Sequence, residues 1–426
     1  MNNGTGLVLS APSSGSGKTT LTLGILRALK RRGLNVRSAK SGPDYIDPRF
    51  HEAASGQPCL NLDAWAMAPN RLRNLASGDG TLLIEGAMGL FDGAPPIGKG
   101  ATSDLARHLK LPVVLILDTA KQSQSVAAVV SGFANHQKDV RVVGVIFNNT
   151  GSERHEAMLT GALRGSNIPI LGSVRRQIGL EHPSRHLGLV QAQERPDLEE
   201  FLDRVADVID TSLDLNKLLS LAQPLGSAQS DTGLLPPAQR ISIARDAAFA
   251  FAYPHLLMDW RNAGAEIKFF SPLADQPPPE CDLVLLPGGY PELHAGRLAA
   301  NQVFLSGLQK TAINSDVYGE CGGYMVLGDS LTDATGKVHK MAGLLRLETS
   351  FAKRKLHLGY RHLKALGGPF QGHLNAHEFH YASTIHAKGQ PLFQAMNAEG
   401  DVLPPMGLIQ GRVSGSFSHV IDRAYS

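Results

Sequence analysis

The chain has 426 residues, with 41 Lys plus Arg against 38 Asp plus Glu, a formal net charge of +3 and 42% hydrophobic residues. That length accommodates two or three domains with cores of their own, and the balanced charge argues against a dedicated nucleic-acid binder. Three widely spaced cysteines, Cys59, Cys281 and Cys321, exclude a disulfide framework and a CxxC zinc site, and apolar runs such as 113–117 are far too short to span a membrane, so a reducing, cytoplasmic setting is expected.

Six short apolar runs, 7–10, 36–39, 82–84, 113–117, 142–147 and 168–171, alternate with helical patterns up to about residue 208. Continuous apolar strands between helices indicate a parallel sheet covered on both faces, with sites at the carboxyl ends of its strands. Directly after the first run comes Ala11-Pro12-Ser13-Ser14-Gly15-Ser16-Gly17-Lys18-Thr19-Thr20, leading into a helix. Backbone N–H groups in such a loop hold phosphate oxygens; Lys18 adds a mobile cation and Thr19 a hydroxyl for Mg²⁺, although the usual leading Gly is replaced by Ala11-Pro12. Acidic partners stand after the second and third runs, in Gly42-Pro43-Asp44-Tyr45-Ile46-Asp47-Pro48 and in Glu85-Gly86-Ala87-Met88-Gly89-Leu90-Phe91-Asp92-Gly93. Mg²⁺ takes oxygen ligands, so Asp44, Asp47 and Glu85 are candidate ligands, with Asp92 nearby.

Between 212 and 239 the texture turns small, polar and Pro-bearing, which reads as a linker or a loose helix followed by one. A second α/β series follows, with runs at 241–244, 266–270 and 283–286. In Gly319-Glu320-Cys321-Gly322-Gly323-Tyr324-Met325 the glycines permit a tight strand-to-helix turn that presents Cys321 as a nucleophile. The helix start is expected to lower the thiol pKa, and the N–H groups there, Gly322 among them, can hold an oxyanion. Gly288 and Gly289, in Leu286-Pro287-Gly288-Gly289-Tyr290-Pro291-Glu292, offer further N–H donors. Cys59 and Cys281 lack these features and read as inert thiols. The base for Cys321 is ambiguous among 16 histidines; His419 after 411–418 and the pair His377 and His380 around Glu378 stand out. Metal binding by His377 and His380 would need a third ligand that no spacing supplies.

The motifs GSGKTT, GPDYIDP, EGAMGLFDG, LPGGYPE, ECGGYM, HEFHY and SGSFSH occur in this order along nearly the whole chain. Together they resemble the glutamine-dependent corrin a,c-diamide synthases of cobalamin biosynthesis; the first half is similar to dethiobiotin synthetase and the second to class I, triad-type glutamine amidotransferases. The resemblance implies two doubly wound α/β domains: an ATP-binding amide synthetase over 1–211 built like a P-loop NTPase, a linker over 212–239, and an amidotransferase over 240–426. It implies that Gly15, Ser16, Gly17, Lys18, Thr19 and Thr20 bind ATP, that Thr19, Asp47 and Glu85 carry Mg²⁺, and that Asp44, Tyr45 and Asp92 lie toward the corrin carboxylate. Cys321 would be the glutaminase nucleophile and His419 its base, forming ammonia from glutamine to displace phosphate from an acyl phosphate. The Glu that most triad enzymes carry two residues after that His is here Ile421, which leaves open what orients His419. The basic stretch from Lys353, Arg354 and Lys355 to His357, Tyr360, Arg361 and His362 is a candidate surface for the acidic substrate. The resemblance places no nucleic acid or membrane among the partners, admits a homodimer, and leaves both cobyrinate and hydrogenobyrinate open as substrates. Two rivals are a switch or partition ATPase, which leaves the Cys321 segment without a use, and the related synthetase that amidates four later corrin side chains.

Overall fold

The computed structural model describes residues 4–177, 191–227, 231 and 233–425. The chain divides into two compact units, Met1–Asp231 and Thr232–Ser426. No helix among the described residues is long and apolar enough to cross a membrane.

The first unit is built on strands β1 (Thr5–Ser10), β2 (Val36–Ser41), β3 (Leu60–Leu62), β4 (Thr81–Glu85), β5 (Val113–Asp118), β6 (Val142–Thr150) and β7 (Ile170–Arg175). They pair in the order β3-β2-β4-β1-β5-β6-β7, all parallel, and Leu7, Val8, Leu9, Leu83, Ile84 and Val113 are buried in the sheet. The sequence runs anticipate six of these strands; β7 begins two residues later than its run. β3 is only three residues long, too short to give a periodic signal. In the 212–239 stretch, a helix Leu215–Ser220 is followed by a two-residue strand, β8 (Gln223–Pro224), antiparallel to β1; residues 228–230 and 232 of that stretch lie outside the described set.

The second unit has a six-stranded sheet that includes β9 (Arg240–Ala244), β10 (Glu266–Phe270), β11 (Leu283–Leu286) and β12 (Asp316–Glu320), and β12 pairs in parallel with the strand Val413–Ser416. A mixed sheet of four strands and an antiparallel sheet of five fill most of 330–423, a region whose many short strands and frequent turns give no clean pattern. Strand His373–His380 pairs with Ser418–Arg423, setting His377 opposite His419. The doubly wound reading of this unit therefore covers its parallel core, to which these two further sheets are added.

Candidate functional site

In the first unit, β1 delivers the chain to the phosphate loop at its carboxyl end, and helix α1 (Lys18–Arg31) starts directly after it. Gly15 and Gly17 sit at φ 78° and 82°, the left-handed region where a side chain is strained. At Gly17 a Cβ would also collide with Asn148, whose amide donates to the Ser16 carbonyl at 3.0 Å. Gly17 caps α1 with no side-chain hydrogen bond, so the first-turn N–H groups are not taken up by a capping side chain. Lys18 Nζ folds onto the loop, donating to the carbonyls of Ser13 (2.9 Å) and Met88 (2.6 Å). Burial pulls its pKa down to about 8, against the attraction of Glu85 and helped by the repulsion of Lys40.

Thr19, one residue on, donates its hydroxyl to Glu85 Oε1 at 2.6 Å and to Asp47 Oδ2 at 3.3 Å. Glu85 ends β4, and Asp47 opens helix α2 (Asp47–Ser55). The register of β2 on β4 sets Lys40 beside Glu85, and Lys40 Nζ bridges Asp47 at 2.5 Å and Glu85 at 2.6 Å. The other Glu85 oxygen meets His51 Nε2 at 2.6 Å. Burial works against ionising Glu85, yet Lys40 and His51 hold its carboxyl far below the usual range. Burial likewise opposes the charge on Lys40, and Asp47 and Glu85 outweigh it. Sequence reasoning finds Thr19, Asp47 and Glu85 but misses Lys40 and His51. The signal for Lys40 is a lysine inside an otherwise buried strand, which has to be paired.

Asp44 is not among these donors. Its Oδ1 accepts the N–H groups of Ile46 (2.7 Å) and Asp47 (3.0 Å), fixing the turn into α2. Burial, then repulsion from Asp47, pushes its carboxyl up to about 6. Asp92 Oδ2 accepts from Gly89 N–H at 3.0 Å and acts electrostatically on Lys18. Tyr45, half-buried, and Thr20 stand in the same two segments, the loop before α2 and the start of α1.

In the second unit Cys321 has φ 48° and ψ −105°, a strained backbone between β12 and the helix Gly322–Leu327. Its glycine neighbours are required by close approach: a Cβ on Gly322 would stand 3.2 Å from the Gly289 nitrogen and 2.7 Å from Pro291 Cδ. A Cβ on Gly288 would overlap the His419 ring, reaching 2.9 Å from Nε2 and 3.2 Å from Cys321 Cβ. Gly288, Gly289, Gly322, Cys321 and His419 therefore meet at one place, and Gly288 touches the Cε1/Nε2 edge of the imidazole on the Cys321 side. Replacing Gly288 by alanine is expected to reduce any Cys321-dependent turnover by more than about 10²-fold, because displaced imidazole geometry is costly; a glutaminase assay retaining a tenth of the rate would refute this packing argument.

The thiol corrects one expectation. Burial, reinforced by Glu292, raises the Cys321 pKa well above its ordinary value, and the N–H of Gly322 only partly offsets it. Burial also pulls His419 down to about 3, with His377 and His380 adding repulsion. The resting pair is thus a neutral thiol and a neutral imidazole, a state in which the base must take the proton as the nucleophile attacks. Glu320, adjacent to Cys321, brings Oε2 to 3.7 Å from His419 Nδ1, while its Oε1 accepts Val420 N–H at 3.1 Å.

His380, Glu378 and His357 also cluster, with ligand atoms within 4.8 Å of one another. The His357 and His380 rings are stacked at 4.6 Å and 6°, and Arg361 engages Glu378 at 2.7 and 2.9 Å. Face-to-face rings do not converge their in-plane lone pairs on one ion, so these side chains read as a packed wall of the cysteine site, where Phe379 O lies 3.8 Å from Cys321 Sγ. In the basic stretch, Lys353, Arg354 and Lys355 are exposed, whereas Arg361 is committed to Glu378.

Two family models match the chain: the CobQ/CobB/MinD/ParA nucleotide binding domain over residues 7–190 and the CobB/CobQ-like glutamine amidotransferase domain over residues 240–424. The chain is 55% identical over 429 residues to the hydrogenobyrinate a,c-diamide synthase of Brucella anthropi, with 98% of each chain covered. It is 52% identical over 425 residues to the hydrogenobyrinate a,c-diamide synthase of Rhizobium meliloti, covering 98% of this chain and 99% of that one. With a nucleotide-binding half, a glutamine amidotransferase half and such identity across the full length, the chain belongs to the hydrogenobyrinate a,c-diamide synthases, glutamine-dependent amidating ligases of cobalamin biosynthesis.

Proposed function

We propose that this chain amidates the a and c acetate carboxylates of hydrogenobyrinate, using ATP and glutamine. The observation that carries the reading is the presence in one chain of a phosphate loop set against a carboxylate and lysine cluster, and of a cysteine elbow set against a buried histidine. The names of the relatives favour hydrogenobyrinate over its cobalt-containing counterpart.

A carboxylate is a poor electrophile, so it is first phosphorylated. Its oxygen attacks the γ-phosphorus of ATP, the bond to ADP breaks, and ammonia then displaces phosphate from the acyl phosphate. N–H groups from Gly15 to Thr20 cradle the ATP phosphates, and Lys18 leaves its two carbonyl partners to follow the transferred charge. Thr19, Asp47 and Glu85 are the residues that would hold Mg²⁺. They fit it because three hard oxygen donors converge where the protein already stabilises a cation, Lys40 Nζ. When bound, the ion supplies charge neutralisation for the phosphates. His51 fixes the orientation of the Glu85 carboxylate, and Asp44, Tyr45 and Asp92 are assigned to the corrin side of the site.

In the second unit Cys321 Sγ attacks the carboxamide carbon of glutamine. His419 takes the thiol proton and passes it to the departing ammonia, with N–H groups of Gly288, Gly289 and Gly322 assigned to the oxyanion. Water then cleaves the γ-glutamyl thioester to glutamate. The test is product mass after incubation with hydrogenobyrinate, ATP, Mg²⁺ and glutamine: two amidations are expected, with slower consumption of cobyrinate in competition. Four amidations, or none while ATP is turned over, would overturn the reading.

A further inference from the structure

The triad reading lacks its usual third member, because position 421 is a buried Ile whose backbone carbonyl meets His255 at 2.8 Å. We infer that Glu320, the residue immediately before the nucleophile, is the positioning residue for His419. The inference rests on Cys321 and His419 being the glutaminase pair.

Four observations converge. Glu320 Oε2 is the carboxylate oxygen facing His419 Nδ1, at 3.7 Å, in a region where the His419 side chain is wholly buried and that of Glu320 is 9% exposed. Val420 N–H holds Glu320 Oε1 at 3.1 Å, which anchors the carboxylate to the same strand that carries His419 and leaves Oε2 for the ring. The opposite edge of the ring, Cε1 and Nε2, abuts Gly288 beside Cys321 Cβ. The ring thus stands between an acid at Nδ1 and the thiol side at Nε2, the order a base of this kind requires. Finally, alternation along β12 puts the buried Tyr318 and Glu320 side chains on one face, where the two groups act on each other electrostatically.

Ionised Glu320 accepts Nδ1–H, which leaves the Nε2 lone pair for the thiol proton and balances the imidazolium that forms. Protonated Glu320 cannot accept there. Burial pushes the carboxyl up to about 8, so turnover should climb as pH rises toward that value. The titratable groups facing it are Tyr318 on its own strand, His419 on the strand Ser418–Arg423 of another sheet, Cys321 next in sequence, and Tyr253 at the head of the helix Pro254–Asn262; Trp260, Leu285 and Phe370 complete an apolar wall.

The experiment compares wild type, Glu320→Gln, Glu320→Asp and Cys321→Ala for glutamine hydrolysis from pH 6 to 9, with melting temperature and ammonium-driven amidation as controls. Glu320→Gln should lower kcat at least about 30-fold with KM for glutamine changed less than about 3-fold, and flatten the rise with pH. Glu320→Asp should recover part of the loss. Since Gln is the uncharged isostere of the protonated acid, its fold and its ammonium-driven amidation should match wild type. Wild-type kcat in Glu320→Gln, an unchanged pH profile, no gain in Glu320→Asp, or a collapse of the melting temperature together with the loss would overturn the assignment. Full hydrolysis by Cys321→Ala would instead fail the reading beneath it.

Discussion

Cys321→Ala is expected to abolish glutamine hydrolysis, lowering kcat by about 10³-fold or more, and with it all glutamine-driven amidation. Amidation driven by added ammonium should persist, because the variant leaves the phosphate loop and its carboxylates, which lie in the other unit, untouched. The direction follows from the resting state of the site. Burial keeps the thiol protonated, and no other cysteine is placed to substitute: Cys59 and Cys281 are buried elsewhere, Cys281 with its own pKa raised by burial. Alanine also fits the elbow at φ 48° no worse than cysteine, so the fold should survive the change. Ammonia release from glutamine at the wild-type rate would remove the cysteine from the mechanism and return the second unit to an unassigned function.

How much of this was legible in the sequence varied with how local the signal is. The phosphate loop and the elbow are encoded within ten consecutive residues, since Gly15, Gly17 and the glycines after Cys321 are demanded by backbone geometry. The partners of those loops are set by register across the sheet. Lys40 lies 45 positions from Glu85 and His51 lies 34 from it, and no periodicity announces that the three side chains share a point. Glu320 stands beside Cys321 in the sequence, yet nothing in that segment assigns it a role. Only the pairing of Ser418–Arg423 with His373–His380 sets His419 against it. The thiol was misjudged for a related reason: a helix start lowers a thiol pKa only where solvent does not have to be surrendered, and here burial dominates. The two further sheets of the second unit were lost because most of their strands are three to six residues long and resemble loops, while the two longer ones, His357–Ala365 and His373–His380, carry several histidines and charges in place of a clean apolar alternation.

Lys18→Ala and Glu85→Ala should separate two roles that the phosphate site combines. Lys18 donates to two backbone carbonyls, Ser13 and Met88, which alanine leaves to water or to the loop's own N–H groups. Its loss should therefore leave the melting temperature within a few degrees while amidation falls by about 10³-fold or more, since phosphoryl transfer depends on charge placed at the transferred group. Glutamine hydrolysis should continue. Glu85 is different in kind. Its wholly buried carboxylate is the shared counter-charge of Lys40 and His51 and the acceptor for Thr19, so Glu85→Ala leaves buried Lys40 with Asp47 alone and takes the carboxylate from buried His51. Breaking a buried ionic network by removing one partner costs about 3–5 kcal/mol, enough to lower the unfolding midpoint visibly as well as abolish amidation. The pair of variants thus predicts equal loss of synthesis with unequal loss of stability. A Lys18→Ala protein that still amidates hydrogenobyrinate at the wild-type rate would refute the phosphate role, and a Glu85→Ala protein with an unchanged unfolding midpoint would show that Lys40 and His51 do not depend on this carboxylate.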